Sequence, residues 1–178
     1  MPKIKKNTTV ILGEGPTEFF YLNSLKDEFR ELQNIKPDTP KNTSLRELER
    51  SIENAISIGY DRIFCLIDMD NKKKDRSSWN SYIRLKRKYH GKKVSDEKKG
   101  IKYEVRFFET DRCTELFFLY YFKYTGQNFI DSKSIEEELR RSCGYEKTRR
   151  FFVTHPLHQF FIKEGGNFNR AIDNAIIS

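Results

Sequence analysis

Three apolar runs of this sequence are typical of β-strands, and acidic side chains lie at the end of each run. Glu14 lies between two glycines directly after the run "TTVIL", and Asp68 and Asp70 follow the run "IFCLI". Glu109 and Asp111 end the alternating stretch "IKYEVRFFETD". Because ligand sites in open parallel sheets lie beyond the carboxyl ends of the strands, we expect these acids to converge at one edge of a sheet.

The spacing of these acids indicates a cation site. Asp68 and Asp70 are two residues apart, so in an extended chain their side chains point to the same side. Like charges this close repel unless one group is protonated or a cation lies between them. Carboxylate oxygens without Cys or His suit a hard ion such as Mg²⁺ or Mn²⁺. An isolated D-x-D pair is usually only a polar strand end, so the prediction rests on its combination with the earlier E-G.

Strand and helix signals alternate through residue 125, and we expect an α/β fold with a mainly parallel central sheet flanked by helices. Pro16 is typical of a helix start. Ser44 and Glu47 form a capping-box pattern, and Gly59 is typical of the end of that helix. Residues 34–44 read as a loop that could include a short strand. Helices are expected at 113–126 and 132–144, followed by two or three short helices.

The positive charge of the chain is concentrated in one segment. The 178 residues fit one domain, and the net charge is +8. Residues 71–100 contain twelve Lys or Arg against three Asp or Glu, a net charge of +9. This segment is either a solvated surface excursion or a binding surface for a polyanion. Its aromatic residues Trp79, Tyr82 and Tyr89 could stack on unpaired bases or pack the segment onto the domain.

The candidate nucleic-acid-binding residues are the basic side chains of this segment together with one arginine after the third predicted strand. They are Lys72, Lys73, Lys74, Arg76, Arg84, Lys86, Arg87 and Arg112.

Other features have a structural interpretation. The aromatic row Phe117–Tyr124 is expected to pack in the core, and His155 and His158 are more typical of structural histidines than of a metal pair. The three cysteines show no metal-ligand spacing. The chain has neither a signal peptide pattern nor an apolar run long enough to span a membrane. We expect a cytoplasmic protein that does not associate with a membrane.

Several stretches resemble a known family. "VILGEGPTEFFYLNSL" and "FCLIDMDN" resemble the two motifs of the Toprim domain of topoisomerases, primases and OLD-type nucleases. "RFFETDRCTELFFLYYF" resembles the NP-C-F-E-x-W-L-L-x-H-F stretch of RloB-like proteins, and "GYEKT" and "FNRAIDNAI" also match that family. Asp111-Arg112 replaces Asn-Pro, Phe117 replaces Trp and Tyr121 replaces His. The resemblance covers roughly residues 8–178.

The resemblance implies one Toprim-like, Rossmann-like domain over 1–178, with 71–100 as a basic excursion and 126–178 as a helical C-terminal extension. Asp68 and Asp70 match the metal ligands, and Glu14 matches a glutamate that acts as general acid/base or contacts the metal. Glu115 would face the same pocket. Glu18 would be a second ligand or would orient a neighbouring group. RloB-like proteins occur in phage-defence and restriction-modification neighbourhoods, often beside an ATPase.

Two functions remain open at this level. The first is a metal-dependent nuclease, in which Mg²⁺ or Mn²⁺ binds the phosphate and water attacks with Glu14 as a base. The second is a non-catalytic module that binds nucleic acid or a partner ATPase of the AAA or ABC type. The chain is not expected to be an ATPase itself, because it has no G-x-x-x-x-G-K-[ST] loop. DNA or RNA is the expected substrate, and the sequence leaves a homo-oligomer open.

Overall fold

The computed structural model of the chain describes residues 8–39, 42, 44–69, 72–73, 75–96, 101–111, 113–126, 129 and 131–178. Three predicted site residues, Asp70, Lys74 and Arg112, lie outside the described residues. Their roles stay predictions.

A five-stranded, mainly parallel sheet forms the centre of the described chain. The strands are β1 (Thr9–Leu12), β2 (Ile35–Asp38), β3 (Arg62–Asp68), β4 (Lys93–Asp96) and β5 (Ile101–Thr110). Their order across the sheet is β2-β1-β3-β5-β4. All neighbours are parallel except the edge pair β4 and β5, which is antiparallel. The expected fold class is confirmed.

Helices cover the sheet and continue beyond it. They are α1 (Pro16–Glu28), α2 (Leu45–Ile58), α3 (Arg76–Tyr89), α4 (Thr114–Tyr120), α5 (Ser132–Cys143), α6 (Arg149–Thr154), α7 (Leu157–Lys163) and α8 (Phe168–Ile177), with a 3₁₀ turn at Arg30–Leu32. Ser44 caps α2 by accepting a hydrogen bond from the Glu47 amide, and Gly59 ends it with φ of 94°. Both were predicted from the sequence. None of these helices has the length and apolar character that crossing a membrane requires.

The burial pattern of the strands explains their order. All four residues of β1 are buried, as expected for a strand with neighbours on both sides and helices on both faces. In β3 the residues Ile63, Cys65 and Ile67 are fully buried. Leu12 is paired with Cys65, so the residues after β1 lie beside the last residues of β3. Asp68 is paired with Thr110 of β5.

The described part of the basic segment packs onto the sheet through one helix. It contains α3, whose Tyr82, Leu85 and Tyr89 are buried against the sheet, and Trp79 remains partly exposed. It also contains β4, a strand that the sequence analysis did not identify. Charged residues dominate β4, so its alternation was hidden. An edge strand rich in charge is common, because charge discourages pairing with another molecule.

A second hydrophobic core lies between α1 and the helices after β5. The hydroxyl of Tyr121 lies at its centre, 2.6 Å from the Tyr21 hydroxyl and 2.8 Å from Nδ1 of His158. All three side chains are buried. The amide of His158 also donates to the Ser24 hydroxyl at 2.9 Å. This network joins α1, α4 and α7, so His158 has the structural role that was expected for it.

Replacing Tyr121 with Phe should lower the free energy of unfolding by about 1–3 kcal/mol. The Tyr21 hydroxyl and Nδ1 of His158 would each lose a buried hydrogen-bond partner. Urea unfolding measures the change. Tyr124→Phe is the matched control, since Tyr124 is half exposed, and its loss should be below about 0.5 kcal/mol. Equal stability of the two variants would contradict a stabilising role for the network.

Candidate functional site

Four carboxylates gather at the carboxyl edge of β1 and β3. Glu14 follows β1, Glu18 lies in the first turn of α1, Asp68 ends β3, and Glu115 lies in the first turn of α4. Glu18 and Glu115 are buried, with 5% and 1% of their surface exposed. Burying charge at this density is costly unless each group has partners. The partners therefore define what the site can do.

Glu14 is held by a lysine. The Lys72 ammonium lies 2.7 Å from Oε1 and 3.0 Å from Oε2 of Glu14. Lys72 itself is buried, and its amide donates a hydrogen bond to the Met69 carbonyl at the end of β3. Burial raises the pKa of Glu14 above its usual range, although Lys72 lowers it. Lys72 was predicted to contact nucleic acid, and here it neutralises the acid after β1.

Glu18 closes the turn between β1 and α1. Its Oε2 accepts the Gly15 amide at 2.9 Å, and its Oε1 accepts the Thr114 hydroxyl at 2.6 Å. Gly13 is needed for this arrangement, since a Cβ there would lie 2.7 Å from Cβ of Glu18. Burial raises the pKa of Glu18 to about 7, with repulsion from Asp68 adding to the effect. Glu18 thus connects α1 to α4 across the edge.

Asp68 lies between the other acids. Its Oδ1 accepts the Thr110 hydroxyl at 2.7 Å and lies 3.4 Å from the Thr114 hydroxyl. Within the described chain, its other oxygen has no hydrogen-bond partner. Burial raises the pKa of Asp68; Glu115 raises it further, and Lys147 lowers it. Among the described residues, Asp68 therefore offers an unbonded oxygen atom close to the carboxylates of Glu18 and Glu115.

Glu115 is bound by two residues that follow α5 in the sequence. Its Oε1 lies 2.9 Å from the Lys147 ammonium and 3.2 Å from the Tyr145 hydroxyl. Lys147 also pairs with Glu136 of α5 at 3.0 Å. Burial alone would lower the pKa of Lys147, but the two glutamates raise it. Lys147 and Tyr145 were not among the predicted site residues, although they belong to the "GYEKT" stretch that carries part of the resemblance.

The acids of the third predicted strand have other partners. Glu109 accepts hydrogen bonds from Tyr82 and Lys86 of α3. Asp111 pairs with Lys73 at 3.0 Å. The group that β5 contributes beside Asp68 is the hydroxyl of Thr110.

The remaining predicted basic residues lie along α3. Arg76 and Arg84 line a shallow hollow with Asn80 between them. Arg76, Arg84 and Arg87 are exposed, whereas Lys86 is partly buried by its pair with Glu109. The arginines are therefore better placed than Lys86 to contact a polyanion from solvent.

The donor set at the edge consists of carboxylate and hydroxyl oxygens, which suit Mg²⁺ or Mn²⁺ rather than a softer metal. Among the residues that the structure describes, no three acidic, His or Cys side chains already form a cation site. Both oxygens of Glu14 contact Lys72, and both of Glu18 have donors. Asp68 is the described residue best placed to hold an ion.

The sequence has a match among known protein families. A family model described as RloB-like protein matches residues 9–176. The chain belongs to the RloB-like family. No curated protein and no solved structure matches this RloB-like chain. The match spans the acidic edge, the basic segment and the C-terminal helices, so the residues that surround Asp68 all belong to the family region.

The raised pKa of Glu18 in the RloB-like site can be tested through the pH dependence of stability. Its folded-state pKa of about 7 lies above its ordinary value of 4.5, so between these values the folded protein holds more protons than the unfolded chain. The contribution of Glu18 to the free energy of unfolding is therefore fully present below pH 4.5 and is lost as the pH rises through 7. The total loss is up to about 3 kcal/mol. Glu18→Gln should flatten that decline in urea unfolding between pH 5 and pH 8 with EDTA present.

The control for this measurement is Glu31→Gln, which changes an exposed glutamate and should keep the slope of the wild type. A Glu18→Gln variant whose stability declines with pH as steeply as that of the wild type would contradict the assignment.

Proposed function

We propose that the protein is a metal-dependent nuclease that hydrolyses phosphodiester bonds of DNA or RNA. The observation that carries the proposal is the convergence of Glu14, Glu18 and Asp68 at the ends of two neighbouring strands. The pKa of each is raised by burial. Three buried or partly buried carboxylates that lie close together repel one another, and this repulsion lowers the stability of the fold. A bound cation would relieve the repulsion, so the cluster favours a functional cation site.

The cation would be Mg²⁺ or Mn²⁺, held by Asp68 and Asp70 with Glu14 beside them. When bound, the ion supplies positive charge that neutralises a phosphate oxygen. Lys72, which is paired with Glu14, and Lys147, which is paired with Glu115, add positive charge to the site and would help to overcome the repulsion between phosphate and carboxylates. Glu14 would accept the proton of the attacking water as the new oxygen–phosphorus bond forms and the leaving oxygen departs. Glu115 acts through Lys147, which it holds in place.

We also propose that the sheet and its acids form a Toprim-type core, and that the protein works in phage defence or restriction-associated systems beside an AAA- or ABC-type ATPase. The support for the core is the order of the motifs, with a glutamate after β1 and an aspartate at the end of β3. The support for the setting is membership of the RloB-like family together with the resemblance described above.

A second candidate function is a non-catalytic module that binds nucleic acid or a partner. One observation favours it: Lys72 contacts both oxygens of Glu14 and Lys147 contacts Glu115. A site whose acids are neutralised by its own lysines can persist without a metal. The two candidates differ in their dependence on Mg²⁺, which the following two experiments measure.

The first experiment is a cleavage assay with plasmid, single-stranded DNA and bulk tRNA in Mg²⁺, Mn²⁺ or EDTA. The wild type should cut at least one substrate only with metal. Asp68→Asn should lower the rate by about 100-fold or more, the scale that loss of one charge-stabilising group costs. Asp27→Asn, an exposed change on α1, should keep full activity. Cutting by Asp68→Asn at the wild-type rate would rule out the assigned role.

The second experiment measures metal binding without activity. Mg²⁺ at ten times its dissociation constant should stabilise the wild type by about 1.4 kcal/mol, which appears as a higher Tm. The Tm of Asp68→Asn should not respond, while Asp27→Asn should respond as the wild type does. A Tm of the wild type that is equal in EDTA and in 20 mM Mg²⁺ would favour the non-catalytic module.

A further inference from the structure

A cavity of about 430 Å³ lies beside the acidic edge. Its wall includes Thr110 and Cys113 on one side and the aromatic residues Tyr120, Tyr124 and Phe129 on the other. Pockets of this size commonly bind small organic groups, and their walls are mostly apolar with few polar groups. The functions discussed above do not use this cavity.

The cavity and the acidic edge share a wall. Thr110 lines the cavity, and its hydroxyl donates to Oδ1 of Asp68 at 2.7 Å. Cys113 also lines the cavity and precedes Thr114, whose hydroxyl contacts both Glu18 and Asp68. A group in the cavity would therefore be separated from Asp68 by a single side chain. Thr110 therefore connects the cavity to the residue that would hold the metal.

The aromatic wall offers a flat, accessible surface. Tyr124 is 49% exposed, and its ring is nearly parallel to that of Tyr120, with an interplanar angle of 20°. Tyr120 and Phe129 are buried behind it. A planar ligand that stacks on Tyr124 would extend this pair of rings. Asp111 also lines the cavity, and its carboxylate pairs with the ammonium of Lys73 at 3.0 Å.

We propose that this cavity binds one unpaired nucleobase of the strand whose phosphate lies at the acidic edge. The inference rests on the proposed function and narrows its substrate class. Every base has a planar face that can stack on tyrosine, so the site would tolerate any sequence. A paired base is stacked inside its duplex and cannot reach such a cavity without being extruded. The preferred substrate is therefore single-stranded or locally unpaired nucleic acid.

The test measures binding by fluorescence anisotropy, with labelled 20-nucleotide DNA and RNA as single strands and as duplexes, in EDTA so that nothing is cut. Tyr124→Leu removes the ring and keeps apolar bulk, while Tyr124→Phe keeps the ring. Because Tyr124 is exposed, both variants should fold. We expect Tyr124→Leu to weaken binding of the preferred single strand by about 10-fold or more, the scale of one stacked base. Tyr124→Phe should match the wild type, and duplex binding should not change.

Three results would overturn the proposal: wild-type affinity of Tyr124→Leu for single strands, an equal loss for single strands and duplexes, or binding of duplex alone by the wild type. A wild type that binds none of the oligonucleotides, either in EDTA or in Mg²⁺, would overturn both this proposal and the proposed nuclease. Adding Mg²⁺ to the same oligonucleotides separates the two ideas. Binding that depends on the Tyr124 ring, without metal-dependent cutting, would leave the cavity assignment intact and remove the nuclease.

Discussion

The repulsion among buried carboxylates at one edge of the sheet is the constraint on which the rest of this structure depends. Burial raises the pKa of Glu14, Glu18 and Asp68. Repulsion from Asp68 raises the pKa of both glutamates further, and Glu115 raises that of Asp68. Uncompensated, such a cluster would either protonate or destabilise the fold. The protein supplies two buried or partly buried lysines, Lys72 and Lys147, and the hydroxyls of Thr110 and Thr114. These partners lie on β5, on α4 and in the segments after β3 and α5, so assembling the site requires most of the fold.

The topology explains how these partners meet. β1 and β3 are parallel neighbours, which brings their carboxyl ends together. The helices that follow β1 and β5 both start at this edge, so their first turns point amides and hydroxyls toward the acids. Lys147 follows α5 in the sequence, and the second hydrophobic core packs the chain around it against α1 and α4. The C-terminal helices thus support the site as well as the fold, since they fix the segment that neutralises Glu115.

The sequence predicts what is local and misses what is brought together by tertiary packing. The caps of α2 and the acids after β1 and β3 were identified because turn residues and apolar runs signal them directly. The pairing of Lys147 with Glu115 joins residues 32 positions apart in sequence, and no local pattern encodes it. β4 was missed because charges hide its alternation. The proximity of Thr110 to Asp68 follows from strand register, which the sequence alone does not give.

The position of Lys72 suggests how the site could change on binding. In the structure both oxygens of Glu14 contact the Lys72 ammonium, so Glu14 is poorly placed to accept a proton. An arriving phosphate carries its own negative charge, so it would compete with Glu14 for the Lys72 ammonium. If Lys72 moves toward the phosphate, Glu14 loses its counter-charge and its affinity for a proton rises. In the proposed nuclease, the same displacement would bind the substrate and free Glu14 to act as the base, so that Glu14 would gain basicity only when a phosphate is present.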